Sequence, residues 1–402
     1  MPRVITSQSG LSGEFGVESY LEQARTLALA EIQRYVPSDS RHTAKLYALM
    51  LDYPMRPAKA LRPALCIATA LALGGQLDGV LPSAAAFELF HNAFLIHDDV
   101  EDDSALRRHR PTLHSEHGVP IAVNVGDAML ATALAPLLDN VEALGLGPAL
   151  RIFKVFARMA RESAEGQMLE LDWMQHRDFG LRDRDYRRMV HKKTGWYSFI
   201  SPIQVGAIAA GADASTKDAL GRFALTLGIA FQIQDDLLSL EGSVAAVGKD
   251  ALGDLWEGKC TLALLHALRE LPAAERAECE ELLRRKRPAR PTGATANFDS
   301  TTASELYRKV RAALPDLSAR EQQLLAAALL PNEPTRDEAA VLRLHALITG
   351  RDGASLLHAR RVAAQFAGRA SQLLERRLTH VPDSVHKRFL RSLVDFVLAR
   401  TR

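Results

Sequence analysis

The sequence predicts an all-α protein folded as one large helical bundle around a central cavity. Two observations carry that expectation. Apolar residues recur at helical spacing along most of the chain, as in the run 83–100, which is rich in Ala, Leu and Phe and holds no Gly or Pro. Alternating runs of the kind that form half-buried strands are absent. Hydrophobic residues make up 47% of the 402-residue chain and charged residues 24%, enough for a sizeable core and a solvated surface.

Taken in order, residues 1–14 read as a flexible N-terminus and 15–402 as a single helical domain. Helices are expected at about 16–35, 60–73, 83–101, 120–138, 148–173, 182–211, 216–241 and 257–270, with closing helices over 336–402. Length alone allows two or three domains, but no linker interrupts the helical pattern before Arg287. The Pro/Gly/Thr-rich stretch 287–297 then marks a loop or insertion within about 285–335. The uncharged run 195–212 reaches membrane length, yet Ser198, Ser201, Pro202 and Gln204 make it a buried helix beside the cavity rather than a span. The N-terminal Met1-Pro2-Arg3-Val4 has no apolar signal-peptide core. A net charge of +2 with dispersed basic residues argues against a nucleic-acid partner. The three cysteines, Cys66, Cys260 and Cys279, share no metal-ligand spacing and give no disulfide framework, so a reducing cytoplasm is the simplest compartment.

Two acidic clusters point to the chemistry. The first, Asp98-Asp99-Val100-Glu101-Asp102-Asp103, follows the apolar Ala93-Phe94-Leu95-Ile96 and precedes Arg107-Arg108. On a helix, residues four apart share a face, so Asp98 and Asp102 project together. Like charges at that spacing repel by roughly 0.2–0.5 kcal/mol when exposed and by more when partly buried. A hard cation relieves that repulsion, and magnesium commonly binds through one or two carboxylates plus substrate phosphates. The second cluster, Asp235-Asp236, ends another apolar helix and is followed by Lys249, Asp254 and Lys259. Gln232 lies on nearly the same face as Asp235. Acids trailed by bases suit a pocket that takes divalent cations and phosphate oxygens together. A solvated helix end is the bland alternative for either cluster alone; its recurrence after a second apolar helix argues against it.

These residues resemble the trans-isoprenyl diphosphate synthases of the polyprenyl synthetase family. The first aspartate-rich motif, DDxxD then RRGxPT, is matched by Asp98-Asp99-Val100-Glu101-Asp102 and Arg107-Arg108-His109-Arg110-Pro111-Thr112. The second, FQxxDDxxD, is matched by Phe231-Gln232-Ile233-Gln234-Asp235-Asp236-Leu237-Leu238-Ser239. GKxxRP corresponds to Ala58-Lys59-Ala60-Leu61-Arg62-Pro63, ExxH to Glu88-Leu89-Phe90-His91, GQ to Gly166-Gln167 and KT to Lys193-Thr194. Downstream stand Gly248-Lys249 and Asp254-Leu255-Trp256-Glu257-Gly258-Lys259. The resemblance implies the isoprenoid synthase type of helical bundle, a homodimer and Mg2+, three ions per site, held by Asp98, Asp102 and Asp235. It implies that Arg107, Lys193, Lys249 and Lys259 bind an allylic diphosphate. Lys59, Arg62, His91 and Arg108 then bind isopentenyl diphosphate, and Lys193, Thr194 and Gln232 stand at the reacting carbons. Taken singly, Lys59 and Arg62 read as a surface helix, His91 as a satisfied core histidine, and Trp173, Trp196 and Trp256 as packing.

The sequence departs from the family pattern at several points. Ser239 replaces the last aspartate of the second motif, and His109 and Ala58 replace glycines. The resemblance also bears on product length. Phe94, one turn before Asp98, is the expected floor for the growing chain, and small Ala93 beside it suggests a deeper pocket. The expected product is geranylgeranyl diphosphate, with farnesyl diphosphate the alternative. Phe94→Ala is expected to lengthen the product and Ala93→Phe to shorten it. A non-catalytic regulatory subunit would carry degraded aspartates, of which Ser239 is a mild example. A terpene cyclase would lack Lys59, Arg62 and His91.

Overall fold

The computed structural model describes residues 16–37, 42–241, 252–287, 300–315, 317–318, 320–322, 325 and 335–399. The expected N-terminus 1–14 lies outside the described residues, as does Lys249. Among the described residues the chain is helical but for one two-stranded hairpin, β1 (Leu106–Arg107) with β2 (Arg110–Pro111).

The helices are α1 (Val17–Tyr35), α2 (Ala44–Met55), α3 (Leu61–Ala72), α4 (Leu81–Glu101), α5 (Leu113–His117), α6 (Val119–Thr132), α7 (Leu134–Leu144) and α8 (Leu146–His176). Then come α9 (Asp183–Val190), a π-helix (His191–Ile200), α10 (Ser201–Ala209), α11 (Ala214–Glu241), α12 (Gly253–Glu257), α13 (Leu262–Glu270), α14 (Ala273–Arg284) and α15 (Ser300–Ala313). The chain closes with α16 (Glu338–Arg377), broken at Gly350, Arg351, Asp352 and Gly353, and α17 (Val385–Ala399).

Helix α11 runs through the centre. Its buried Leu220, Phe223, Leu227, Ile233 and Leu237 pack against α16 on one side and the π-helix on the other. Helix α3 packs on α10, and α4 on α6. A second, smaller core joins α1, α2, α4 and α6 through Ile32, Met50, Tyr53, Leu89, Ala93, Ile96, Val125 and Met129. Together these helices set the ends of α4 and α11, where the aspartates stand, on facing walls.

The differences from the sequence expectation have local causes. The expected helix 182–211 is three pieces, because the backbone widens into a π-helix before Pro202, which has no N–H to continue an α-helical ladder. The expected helix 120–138 breaks at Ala133, since the ring of Pro136 conflicts with the carbonyl four residues back, that of Thr132. Gly258, at φ 80°, ends α12, so the helix expected from 257 starts at Leu262, where the Thr261 hydroxyl accepts from the Leu264 N–H at 3.3 Å. Helix α2 has no counterpart among the expected helices. The run 195–212 is buried in the bundle, with Ile200, Ile203, Val205 and Ala207 in the main core. Instead the stretch Val119–Leu144 is the one among the described residues long and apolar enough to cross a membrane, although it is two helices and α6 packs on α4.

The two ends of the stretch around 285–335 meet. Lys286 bridges Thr335, and the Arg336 N–H donates to the Lys286 carbonyl at 2.7 Å. The fully buried Arg336 guanidinium donates to the carbonyls of Leu255 (2.7 Å), Trp256 (2.8 Å) and Arg285 (3.1 Å), which ties this junction to α12.

Candidate active site

A cavity of about 840 Å³ opens between α4, α8, the π-helix and α11. It brings together Phe94, Asp98, Asp102, Arg107, Arg108, Lys193, Thr194, Gln232, Asp235 and Lys259, residues that lie far apart in sequence. A second cavity of about 270 Å³ is lined by Lys59, Arg62, His91 and Arg108, with Glu88 and Phe231. The expected residues therefore sort into two cavities, and Arg108 lines both. Ala93 lines neither; it is buried in the core toward α6. Phe94 does line the larger cavity, and its ring stacks on Phe90 at 4.6 Å and faces Tyr197 at 6.0 Å.

The aspartates Asp98, Asp99, Asp102 and Asp236 have different surroundings. Asp99 is buried and saturated: Tyr53 Oη donates to it at 2.6 Å and Arg107 Nε at 3.0 Å. Asp236 likewise accepts from Tyr186 Oη at 2.6 Å and Gln232 Nε2 at 2.8 Å. Among the described residues, Asp98 and Asp102 instead meet lysine ammonium groups and a side-chain amide. Lys193 Nζ lies 3.3 Å from Asp98, Gln167 Nε2 3.3 Å from the same oxygen, and Lys259 Nζ 3.0 Å from Asp102. Burial opposes ionisation of Asp98, but Lys193, Lys259 and Arg107 hold its carboxyl below the usual range. Burial raises Asp102 against the pull of Lys259, with Asp98 adding to the rise. Burial also lifts Glu257, beside Lys259, to about 7. Such like-charge crowding is what a divalent cation removes. Among the described residues no three acid, His or Cys side chains converge into a ready-made metal site. The donor set suits a hard cation that completes its shell with substrate phosphate oxygens.

Lys193 and Thr194 owe their position to the π-helix and to one glycine. A Cβ on Gly166 of α8 would stand 2.2 Å from the Lys193 backbone nitrogen, so only glycine permits this approach. Lys193 then reaches Asp98 and the buried Glu170. Thr194 Oγ1 donates to Gln232 Oε1 at 2.6 Å, and Gln232 passes its amide to Asp236. With its proton committed, the Thr194 oxygen keeps lone pairs for a positive centre in the cavity. Ser239 hydrogen-bonds Asp254, which also lines the cavity, so a carboxylate stands beside the position where the second motif lacks its last aspartate.

The second cavity is basic. Burial, then Arg62, Arg108 and Arg107, push the His91 imidazole well down, which keeps it neutral. Among the described residues, its Nδ1 and the Nε of Arg62 are buried without a hydrogen-bond partner. Arg62 stacks over Tyr197 at 4.3 Å, and Lys59 lies 5.3 Å from the Phe396 ring of α17. Burial and the neighbours Arg107, Arg62 and Arg56 lower Arg108 against Glu88. Three cations gathered around buried donors suit an anion.

Sequence reasoning missed Tyr53, Tyr186, Arg56 and Arg336, and it gave Asp254 no role. Tyrosines that saturate aspartates carry no spacing signal, whereas Asp254 sat within a quoted motif.

The sequence pattern of the family described as Polyprenyl synthetase matches residues 44–296. The chain is 33% identical to the short chain isoprenyl diphosphate synthase of Methanocaldococcus jannaschii over 259 residues, 64% of this chain and 75% of that one. It is 31% identical to the geranylgeranyl diphosphate synthase of Sulfolobus acidocaldarius over 237 residues, 59% and 70% of the two chains. In structure it resembles a polyprenyl synthase from Caulobacter crescentus, solved with calcium and isoprenyl diphosphate. That TM-score is 0.69 at 27% identity, covering 97% of this chain and 99% of that one.

Proposed function

The chain belongs to the polyprenyl synthetase family and is a prenyltransferase, and from that premise we propose that it condenses isopentenyl diphosphate head-to-tail with an allylic diphosphate to give mainly geranylgeranyl diphosphate. The observation that carries the reading is the pair of adjoining cavities, one walled by acids and bases, the other basic, with Arg108 lining both.

In this reading Asp98, Asp102 and Asp235 hold magnesium, three ions per site, and the metal supplies positive charge against the departing diphosphate. Arg107, Lys193 and Lys259 take the allylic diphosphate oxygens, with Lys249 as a fourth base by resemblance. Lys193 and Lys259 exchange their carboxylate partners for phosphate as the substrate arrives. The allylic carbon–oxygen bond breaks, and the oxygens of Thr194 and Gln232 face the resulting cation with their dipoles. Lys59, Arg62, Arg108 and neutral His91 hold the second diphosphate without metal, which sets the isopentenyl double bond toward the cation. The new carbon–carbon bond forms from that double bond, and the released pyrophosphate takes the proton. The intact ligand set argues against a purely regulatory subunit, and the basic second cavity against a cyclase.

Purified protein given labelled isopentenyl diphosphate, magnesium and a dimethylallyl, geranyl or farnesyl primer is expected to yield mainly the twenty-carbon diphosphate. A fifteen-carbon product would favour the farnesyl alternative, and no elongation with any primer would defeat the reading. Phe94→Ala, by opening the aromatic floor, is expected to shift the product toward longer chains on chromatography; an unchanged spectrum would remove Phe94 from that role. Ala93→Phe is expected to disturb the α4–α6 core, costing about 1–3 kcal/mol by overpacking, rather than to shorten the product directly.

A homodimer is part of the same proposal. Leu134, Leu138, Val141, Leu146, Leu150 and Phe153 leave an exposed apolar face along α7 and α8, and a second copy of this chain is the occupant that would cover it. Leu138→Glu with Leu150→Glu is expected to give a monomer by light scattering, and an unchanged mass would refute that surface. The three buried free thiols suit a cytoplasmic setting.

A further inference from the structure

The hairpin carrying Arg107 and Arg108 turns through Arg108 and His109, at φ 54° and 62°, between the paired Arg107 and Arg110. A two-residue turn with both residues left-handed is the kind that selects Asn-Gly, because a side chain at those angles crowds its own backbone. Neither residue here is Asn or Gly, so the turn must be held from outside.

Arg56, at the end of α2, holds it. Its side chain is 1% exposed, and its guanidinium spans both strands, with Nη1 donating to the Arg107 carbonyl at 2.9 Å and Nη2 to the Pro111 carbonyl at 2.7 Å. Asp52 fixes it from below, accepting from Arg56 Nε at 2.8 Å while also pairing with Arg110 at 2.8 Å. Arg107 has an independent anchor in Asp99, whereas Arg108 faces Glu88 and, among the described residues, its guanidinium hydrogen-bonds the Tyr53 carbonyl at 3.0 Å, on the same last turn of α2. Arg56 lines neither cavity, so any effect on a ligand passes through the hairpin.

We propose that Arg56 is a positioning residue for the isopentenyl diphosphate site, setting Arg108 by bracing a turn whose residue 109 is not glycine. The proposal rests on the reading that Arg108 binds that diphosphate. Two relations follow. Loss of Arg56 weakens the second cavity more than the first, because Arg107 keeps Asp99. Glycine at 109, which adopts left-handed φ freely, makes the brace less necessary.

The test is calorimetric binding of isopentenyl diphosphate alone, with no primer and hence no turnover, to the full chain and to R56M, R56K, H109G, R56M/H109G and R108A. Thermal melts accompany each variant. R56M is expected to weaken binding about tenfold, while magnesium-dependent binding of pyrophosphate changes by less than about threefold. H109G is expected to have little effect in the wild type but to recover at least about threefold in the R56M background. Lysine at 56 keeps the charge but cannot reach both strands, so R56K decides the matter if R56M does not fold, and it too is expected to bind more weakly. Equal binding by wild type and the folded Arg56 variants overturns the proposal, as does an identical factor from H109G in both backgrounds. If R108A binds as well as wild type, the underlying assignment of Arg108 fails and the proposal with it. If R108A weakens binding and the Arg56 variants do not, the proposal fails alone.

Discussion

Asp98→Asn is expected to lower kcat/KM by about 10³ or more at saturating magnesium, with the circular dichroism spectrum unchanged. The reason is the division of labour among the aspartates. Asp99 and Asp236 spend their oxygens on Tyr53, Arg107, Tyr186 and Gln232, so they brace the walls. Asp98 is partly open to the cavity and is held ionised by Lys193, Lys259 and Arg107 against its burial. Asparagine keeps the shape and removes the charge that a cation needs. Asp99→Asn, by contrast, is expected to lower the melting temperature, since it weakens the charge-assisted bond to Arg107 inside the fold. Steady-state assays and melts of the two variants separate these outcomes; an Asp98→Asn enzyme within tenfold of wild type would remove Asp98 from the reaction.

Gly166→Ala is expected to damage both stability and rate although it adds one methyl group. The added Cβ would sit 2.2 Å from the Lys193 nitrogen, and its other neighbours, the Lys193 Cα at 2.6 Å and the Lys192 carbonyl carbon at 2.8 Å, are also backbone and cannot rotate away. Helix α8 and the π-helix must separate. Overpacking of this kind costs about 1–3 kcal/mol. The same shift moves Lys193 and Thr194, and a displacement near 1 Å can cost about 10²-fold in rate. Melting curves and single-turnover rates report the two parts. A variant with wild-type rate and stability would show that the two helices are free to slide.

Most of the fold, and the residues that the two cavities bring together, were legible in the sequence because the signals were local. Uninterrupted apolar helices gave the all-α class, and the aspartate helices α4 and α11 were bounded to within a few residues. What escaped depends on contacts between distant segments. The π-helix, HKKTGWYSFI, carries no spacing signal of its own and shows only as a change of backbone width. Arg56 and Arg336 look like surface charges in the sequence, yet each is buried and spends its donors largely on backbone carbonyls. Ala93 shares a helix with Phe94, but a turn of about 100° per residue points it into the α6 core rather than the cavity.

The central claim is one metal–diphosphate centre shared by the carboxylates of α4 and α11. A crystal structure with magnesium and an unreactive allylic thiolodiphosphate tests it directly. The account predicts diphosphate oxygens and metal ions between Asp98 and Asp102 on one wall and Asp235 on the other, with Lys193 and Lys259 moved from the carboxylates onto phosphate. A diphosphate bound with metal on one wall only, leaving Asp235 without an ion, would contradict it.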